Sequence, residues 1–203
     1  RWGVRRLVYL SAVSAVYAET NSYGRSKAEA ERLISGAGLD HTILRPTMIY
    51  GLDGGLHFQK LVRMIRKAPL VLPIVGSGAA RLQPVHVDDV VGAIETVLAE
   101  PRSIGKAYSV SGATVVRFDE LVDLILAETG LRRFKVHVPA ALCSAVARVV
   151  AAILPGSFLS PEAVLGLTQD AALDYAEFQR DCGYNPLPLD VGLKRVLSPA
   201  GGG

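Results

Sequence analysis

A tyrosine and a lysine four residues apart can carry out acid–base chemistry if a helix presents them on one face. Tyr23-Gly24-Arg25-Ser26-Lys27 has that spacing, and residues i and i+4 of a helix are surface neighbours. A free phenol, with a pKa of about 10, is a poor acid or base near neutrality. An ammonium group beside it favours the phenolate and moves it toward the working range. A hydroxyl from just upstream, Ser11 or Ser14, can then hold a substrate oxygen beside the phenol. Such a set is a proton-transfer site for hydride chemistry at a carbinol carbon.

The surrounding residues name the elements that must position this set. Leu7 to Leu10 is apolar and reads as a short buried strand ending at Ser11. A polar loop with Glu19, Thr20, Asn21 and Ser22 follows. Tyr23 to Leu33 then has helical period, with Ala28, Ala30, Leu33 and Ile34 apolar and Lys27, Glu29, Glu31 and Arg32 solvated. Gly36-Ala37-Gly38 stops that helix, since glycine tolerates the left-handed C-terminal position. Leu39 to Leu44 reads as the next strand, and Pro46, which cannot donate to a ladder, marks its exit into a loop. Strand, helix, glycine and strand in this order are the rhythm of a parallel sheet.

The succession of strand, Ser, loop and Tyr-Gly-Arg-Ser-Lys resembles the short-chain dehydrogenase/reductase superfamily, whose catalytic set is a strand-end Ser or Thr with Tyr and Lys. Leu44-Arg45-Pro46-Thr47-Met48-Ile49-Tyr50-Gly51 resembles the Arg-Pro-x-x-x-Tyr-Gly stretch of its extended and atypical branches. Arg81-Leu82-Gln83-Pro84-Val85-His86-Val87-Asp88-Asp89-Val90 resembles a stretch of extended-type epimerases and dehydratases, and Asp181-Cys182-Gly183-Tyr184 with Asp190-Val191-Gly192-Leu193 resembles their C-terminal segment. The resemblance covers Leu7 to about Leu197.

It implies NAD or NADP as cofactor, with Tyr23 as general acid/base and Lys27 lowering its pKa and binding the nicotinamide ribose. Pro46, Thr47 and Met48 would wall the nicotinamide, and Arg81 would reach a phosphate of a nucleotide-sugar substrate, which a guanidinium fork suits. Members usually carry Ser-Ser or Ser-Thr at the strand end, with the second residue acting. Here Ala12 follows Ser11 and Ser14 comes three residues later, so either serine can supply the hydroxyl. Atypical members used for binding, namely NmrA-like redox sensors and a respiratory complex I accessory subunit, give a second expectation: a non-catalytic nucleotide-binding or assembly subunit. Homodimerisation is a further implication.

Beyond the catalytic segment, Leu56 to Ala68 reads as a helix with Phe58, Leu61, Val62 and Ile65 on one side and a solvated basic face. Gly76-Ser77-Gly78 is a turn, Leu82 to Val87 a short strand, and Asp88 or Asp89 the cap of a helix to about Ala99. His86 reads as a packed, structural residue. Lys106 to Ser111 is a strand, Phe118 to Thr129 a helix stopped by Gly130, and Phe134 to Val138 an edge strand whose His137 has no evident partner. Pro139 to Leu154 is apolar nearly all round and too short to span a bilayer; it reads as a buried helix, a dimer contact or an interfacial membrane patch. Ser160 starts a helix to about Leu167, and residues 198–203 read as a disordered tail.

With 203 residues, half of them hydrophobic, the chain can bury a sizeable core. A formal charge of +3 and a pI near 9.0, with scattered Lys and Arg, argue against a nucleic-acid partner. Cys143 and Cys182 lack metal or disulfide spacing and fit free thiols in a reducing cytoplasm. No G-x-G-x-x-G turn follows a strand; the expectation is therefore a piece of a longer protein, the C-terminal part of a Rossmann-like fold. The fold class expected is α/β, a Rossmann-like parallel sheet with a small α-rich substrate lobe: residues 1–112 as the C-terminal part of an NAD(P)-binding domain with interleaved substrate-lobe segments, and 113–197 as mostly the substrate lobe and C-terminal helices.

Overall fold

A computed structural model of the chain describes residues 3–17, 20–52, 54–153, 164 and 168–198, with the side chains of 149–153 excepted. The first strand, β1 (Arg6–Leu10), leads through a 3-10 turn (Val13–Val16) into helix α1 (Ser22–Ser35) and back into β2 (Asp40–Pro46). β2 pairs parallel with β1 on one edge and with β7 (Lys106–Val110) on the other, giving the order β1-β2-β7. The parallel sheet is as expected. β1, however, is half-buried rather than buried, because it lies at the edge of this sheet and only one of its ladders is paired.

Between β2 and β7 run β3 (Ile49–Tyr50), α2 (Leu56–Lys67), β4 (Val71–Val75), β5 (Arg81–Leu82), β6 (Val85–His86) and α3 (Val87–Ala99). After β7 come β8 (Val116–Arg117), α4 (Phe118–Thr129), β9 (Phe134–Val138), α5 (Ala140–Ile153), α6 (Ala176–Cys182) and α7 (Leu189–Leu197). Among the described residues there are also three two-stranded ladders: β3 with β6 and β4 with β9, both parallel, and β5 with β8, antiparallel.

Two apolar cores result. Leu44, Tyr108 and Val110 of the three-stranded sheet pack with Val90, Ala93 and Val97 of α3 and with Phe178 of α6. Phe58, Leu61 and Ile65 of α2, Leu72 and Ile74 of β4, Leu121 and Ile125 of α4 and Leu193 of α7 form the other. The helical stripe expected for α2 is the buried one, and α4 buries Phe118, Leu121, Val122 and Ile125.

Several local expectations are corrected. The stretch 82–87 is two strands rather than one, because Pro84 interrupts the ladder and its carbonyl packs against Gly112, where a Cβ would lie 1.8 Å away. The cap of α3 is His86 rather than Asp88 or Asp89: its Nδ1 accepts from the Asp88 N–H at 3.2 Å. Gly36 is right-handed, and Gly38 takes the left-handed conformation instead. His137 does have a partner, Asp119 Oδ1 at 3.2 Å, reached across the packing of β9 on α4. Glu19, Leu154, the helix expected from Ser160 to Leu167 apart from Val164, and the tail from residue 199 lie outside the described residues.

Candidate active site

The site is built on the way α1 docks against β1 and β2. Asn21 Oδ1 accepts from the Gly24 N–H at 2.9 Å, which starts the helix. Gly24 lets it sit directly on the 3-10 turn: a Cβ there would lie 1.8 Å from Thr20 Oγ1 and 2.5 Å from the Ser14 carbonyl oxygen. One residue before this close approach is Tyr23, and three after it is Lys27.

The face of α1 turned toward the sheet is not the one that the apolar residues suggest. Leu33 is exposed, while Gly24 and Glu31 are the buried positions. Lys27 Nζ donates to the Leu10 carbonyl at the end of β1, 2.8 Å away. Glu31 receives a fork from Arg45 of β2, Nε to Oε1 at 3.0 Å and Nη2 to Oε2 at 2.6 Å. Burial raises the Glu31 carboxyl, but the Arg45 fork and the neighbouring Ser11 hydroxyl outweigh it and hold the group below its ordinary value. Sequence reasoning counted Glu31 among the solvated residues. Its partner lies across the fold, and the only local signal is that a Glu falls on the stripe shared by Gly24 and Lys27.

Tyr23 is 54% exposed, and the Lys27 ammonium lies 5.7 Å from its ring centroid and 4.9 Å from that of Tyr9. The phenol of Tyr17, just after the 3-10 turn, is unsuited to proton transfer near neutrality: burial and the Asp170 carboxylate push it to about 12. Ser11 is 3% exposed; its hydroxyl sits beside Glu31 without a hydrogen bond of ordinary geometry. Ser14 Oγ, in the turn under Gly24, is likewise buried and without a partner.

β2 ends at Pro46, so Pro46, Thr47 and Met48 emerge at the carboxyl end of the sheet's central strand. Thr47 is buried; its N–H donates to the Val110 carbonyl at 3.2 Å and its Oγ1 to the Gln83 carbonyl at 2.5 Å. Gln83 in turn donates to the Gly112 carbonyl and accepts from the Leu173 N–H, so it straps three segments together. Met48 is half-buried against the second core.

Arg81 is placed by another strand. It lies on β5 directly opposite Arg117 of β8, exposed, and lines an open cavity of about 450 Å³ with Ala79, Val115, Val116, Arg117 and Glu120. A second cavity, of about 300 Å³, is formed by the Gly76–Ala80 turn with Thr168 and Asp170. Neither is lined by Tyr23, Lys27, Ser11 or Ser14. The described residues thus place Tyr23, Lys27 and the two serines about the end of β1 and the turn that follows it, and set Arg81 on β5, where its N–H donates to Asp170 Oδ1 at 2.8 Å. His86 is buried edge-on against Tyr50, in the structural role expected of it.

Residues 3–111 match the model of the NAD dependent epimerase/dehydratase family. The chain is similar to the 3beta-hydroxysteroid-dehydrogenase/decarboxylase isoform 1 of Arabidopsis thaliana, 28% identical over 96% of this chain and 53% of that protein. It is also similar to the mitochondrial NADH dehydrogenase [ubiquinone] 1 alpha subcomplex subunit 9 of the same plant, 30% identical over 61% of this chain and 30% of that protein. Among solved structures, the UDP-glucose 4-epimerase of Thermotoga maritima with UDP-glucose superposes with a TM-score of 0.70 at 21% identity, covering 96% of this chain and 63% of that one. The chain spans about half the length, or less, of these curated relatives. By its sequence match and by its Rossmann-like sheet, the chain belongs to the NAD dependent epimerase/dehydratase family.

Proposed function

We propose that the protein is an NAD(P)-dependent epimerase, dehydratase or reductase acting at a hydroxyl-bearing or carbonyl carbon of a sugar nucleotide or related substrate. The observation that carries this reading is the anchoring of Lys27 to Leu10, which holds its ammonium beside the half-exposed Tyr23. Tyr23 is the general acid/base at the substrate oxygen. Lys27 presents fixed positive charge to the phenol, favouring negative charge as it develops on that oxygen.

Of the two serines, Ser14 is the better hydrogen-bond partner for the substrate oxygen. It has an unpartnered hydroxyl in the turn that Gly24 brings against Tyr23, whereas Ser11 faces Glu31. Arg81 would hold an anionic part of the substrate.

The residues present fit one end of a nicotinamide dinucleotide. The orphaned serine hydroxyls and the polar lysine lie at the carboxyl ends of parallel strands, where α/β sheets bind nucleotides. Lys27 would hold the nicotinamide ribose, and Pro46, Thr47 and Met48 would wall the ring. Bound there, the cofactor supplies or accepts the hydride.

A second reading, a binding or assembly subunit without turnover, is favoured by the similarity to the NADH dehydrogenase subunit. Incubating the intact protein with NAD+ or NADP+ and a panel of sugar nucleotides and hydroxysteroids separates the two. Substrate-dependent turnover supports the first reading. Tight binding of reduced nicotinamide with no turnover on any member of the panel supports the second.

A further inference from the structure

We propose that the outer face of the β4–β9 ladder, continued by α5, is a docking surface for an anionic lipid bilayer. Side chains alternate across a strand, and the register sets Val71 beside Phe134, Pro73 beside Val136 and Val75 beside Val138. All six are apolar. The opposite face is the one that belongs to the protein: Leu72 and Ile74 are fully buried, and Lys135 and His137 reach the carboxylates of α4.

A ladder with one buried face ordinarily shows polar residues on the other. Here Phe134 is 67% exposed, and Leu70, Val71 and Val136 are exposed with it. Pro139 alone separates β9 from α5, on which Leu142 and Val146, one turn apart, are also exposed. No helix among the described residues is long and apolar enough to cross a membrane, so the contact is interfacial.

Charge identifies the occupant. Residues 56–77 and 130–148, which contain this face, carry eight Lys and Arg and no Asp or Glu, while in the rest of the chain acids outnumber bases. Arg66 and Lys67 precede Leu70 at the end of α2, and Arg132 stands two residues before Phe134. All three are exposed. Among the described residues Lys135 is the one Lys or Arg of these stretches held in ion pairs, and it turns inward to Asp119 and Asp123. An apolar centre with a cationic border matches acyl chains below a layer of anionic headgroups. A second copy of the chain on this face would set cations against cations.

The test is flotation of the intact protein with vesicles of phosphatidylcholine alone or with phosphatidylglycerol as the minor component. The expected result is binding to the anionic vesicles only, lost at high salt. Phe134→Asp, and separately the pair Arg66→Glu with Arg132→Glu, weaken it by about tenfold or more. The pair Lys194→Glu with Arg195→Glu, which changes the net charge equally on exposed positions of α7, leaves it intact. Circular dichroism and the Tm show that the variants, all on exposed side chains, remain folded. Absence of binding to either vesicle, or equal loss in the α7 control, overturns the proposal. So does a self-associated form that dissociates in Phe134→Asp without lipid binding.

Discussion

The Lys27 ammonium donates to the carbonyl oxygen of Leu10, the last residue of β1, at 2.8 Å. This bond joins the helix that carries the tyrosine to the strand end from which the chain runs on through Ser11 to the 3-10 turn that holds Ser14. It ties α1 to the end of β1, and it leaves the lysine's charge beside the Tyr9 and Tyr23 rings.

Replacing Lys27 by Met removes the charge and the anchor together, whereas Lys27→Arg keeps the charge on a different geometry. In the active protein Lys27→Met lowers kcat by about 10²-fold or more, within the range of acid–base contributions. It also weakens nicotinamide binding, measured by quenching of the reduced cofactor's fluorescence. Lys27→Arg recovers part of the kcat.

Glu31 and Arg45 make the second anchor of α1. Either Glu31→Gln or Arg45→Met leaves a charge without its fork and lowers stability by about 1–3 kcal/mol. Because the folded Glu31 carboxyl lies below its unfolded value, its contribution is fully present above about pH 4.5 and is lost as the pH falls through the folded value. The stability gap between the wild type and Arg45→Met, read from chemical denaturation, therefore narrows in acid and is constant near neutrality.

The two serines part company under alanine substitution. Ser14→Ala lowers kcat with little change in Tm. Ser11→Ala removes the hydroxyl that helps hold the Glu31 carboxylate, so it leaves kcat nearly unchanged and lowers stability by about 1 kcal/mol. Steady-state kinetics and thermal melts of both variants check this, and the reverse pattern would assign the catalytic hydroxyl to Ser11.

Gly192 of α7 lies against the Tyr50 hydroxyl, which is buried and has no hydrogen-bond partner. A Cβ at this position would lie 1.9 Å from that oxygen and 2.8 Å from Cζ. Gly192→Ala destabilises by about 1–3 kcal/mol through overpacking. Tyr50→Phe in the same chain relieves the oxygen clash but not the ring contact, so the double variant recovers part of the loss in a double-mutant cycle.

What the sequence makes legible here is local. The bounds of α4 follow from the buried Phe118, Leu121, Val122 and Ile125 and from left-handed Gly130. The spacing of Tyr23 and Lys27 gives their shared turn. What it hides depends on distant partners. Glu31 looks solvated until Arg45 is folded beside it, and His137 looks unpartnered until β9 packs on α4. β1 reads as buried because its residues are apolar, although it occupies a sheet edge. Val71 to Val75 gives little strand signal, since Pro73 interrupts an otherwise apolar run; its pairing with β9 spans more than sixty residues. The pairing of Arg81 with Arg117 across β5 and β8 is likewise a property of the fold, because nothing near Arg81 in the sequence names its partner strand.

The central claim is that Tyr23 moves a proton at the substrate oxygen while the rest of the site binds. Its most direct test compares Tyr23→Phe with the wild-type intact protein on the same turned-over substrate, measuring kcat and the Kd of the reduced nicotinamide cofactor. The account predicts a fall in kcat of about 10²–10⁴-fold with the Kd nearly unchanged. A kcat that survives the loss of the phenol hydroxyl would contradict it.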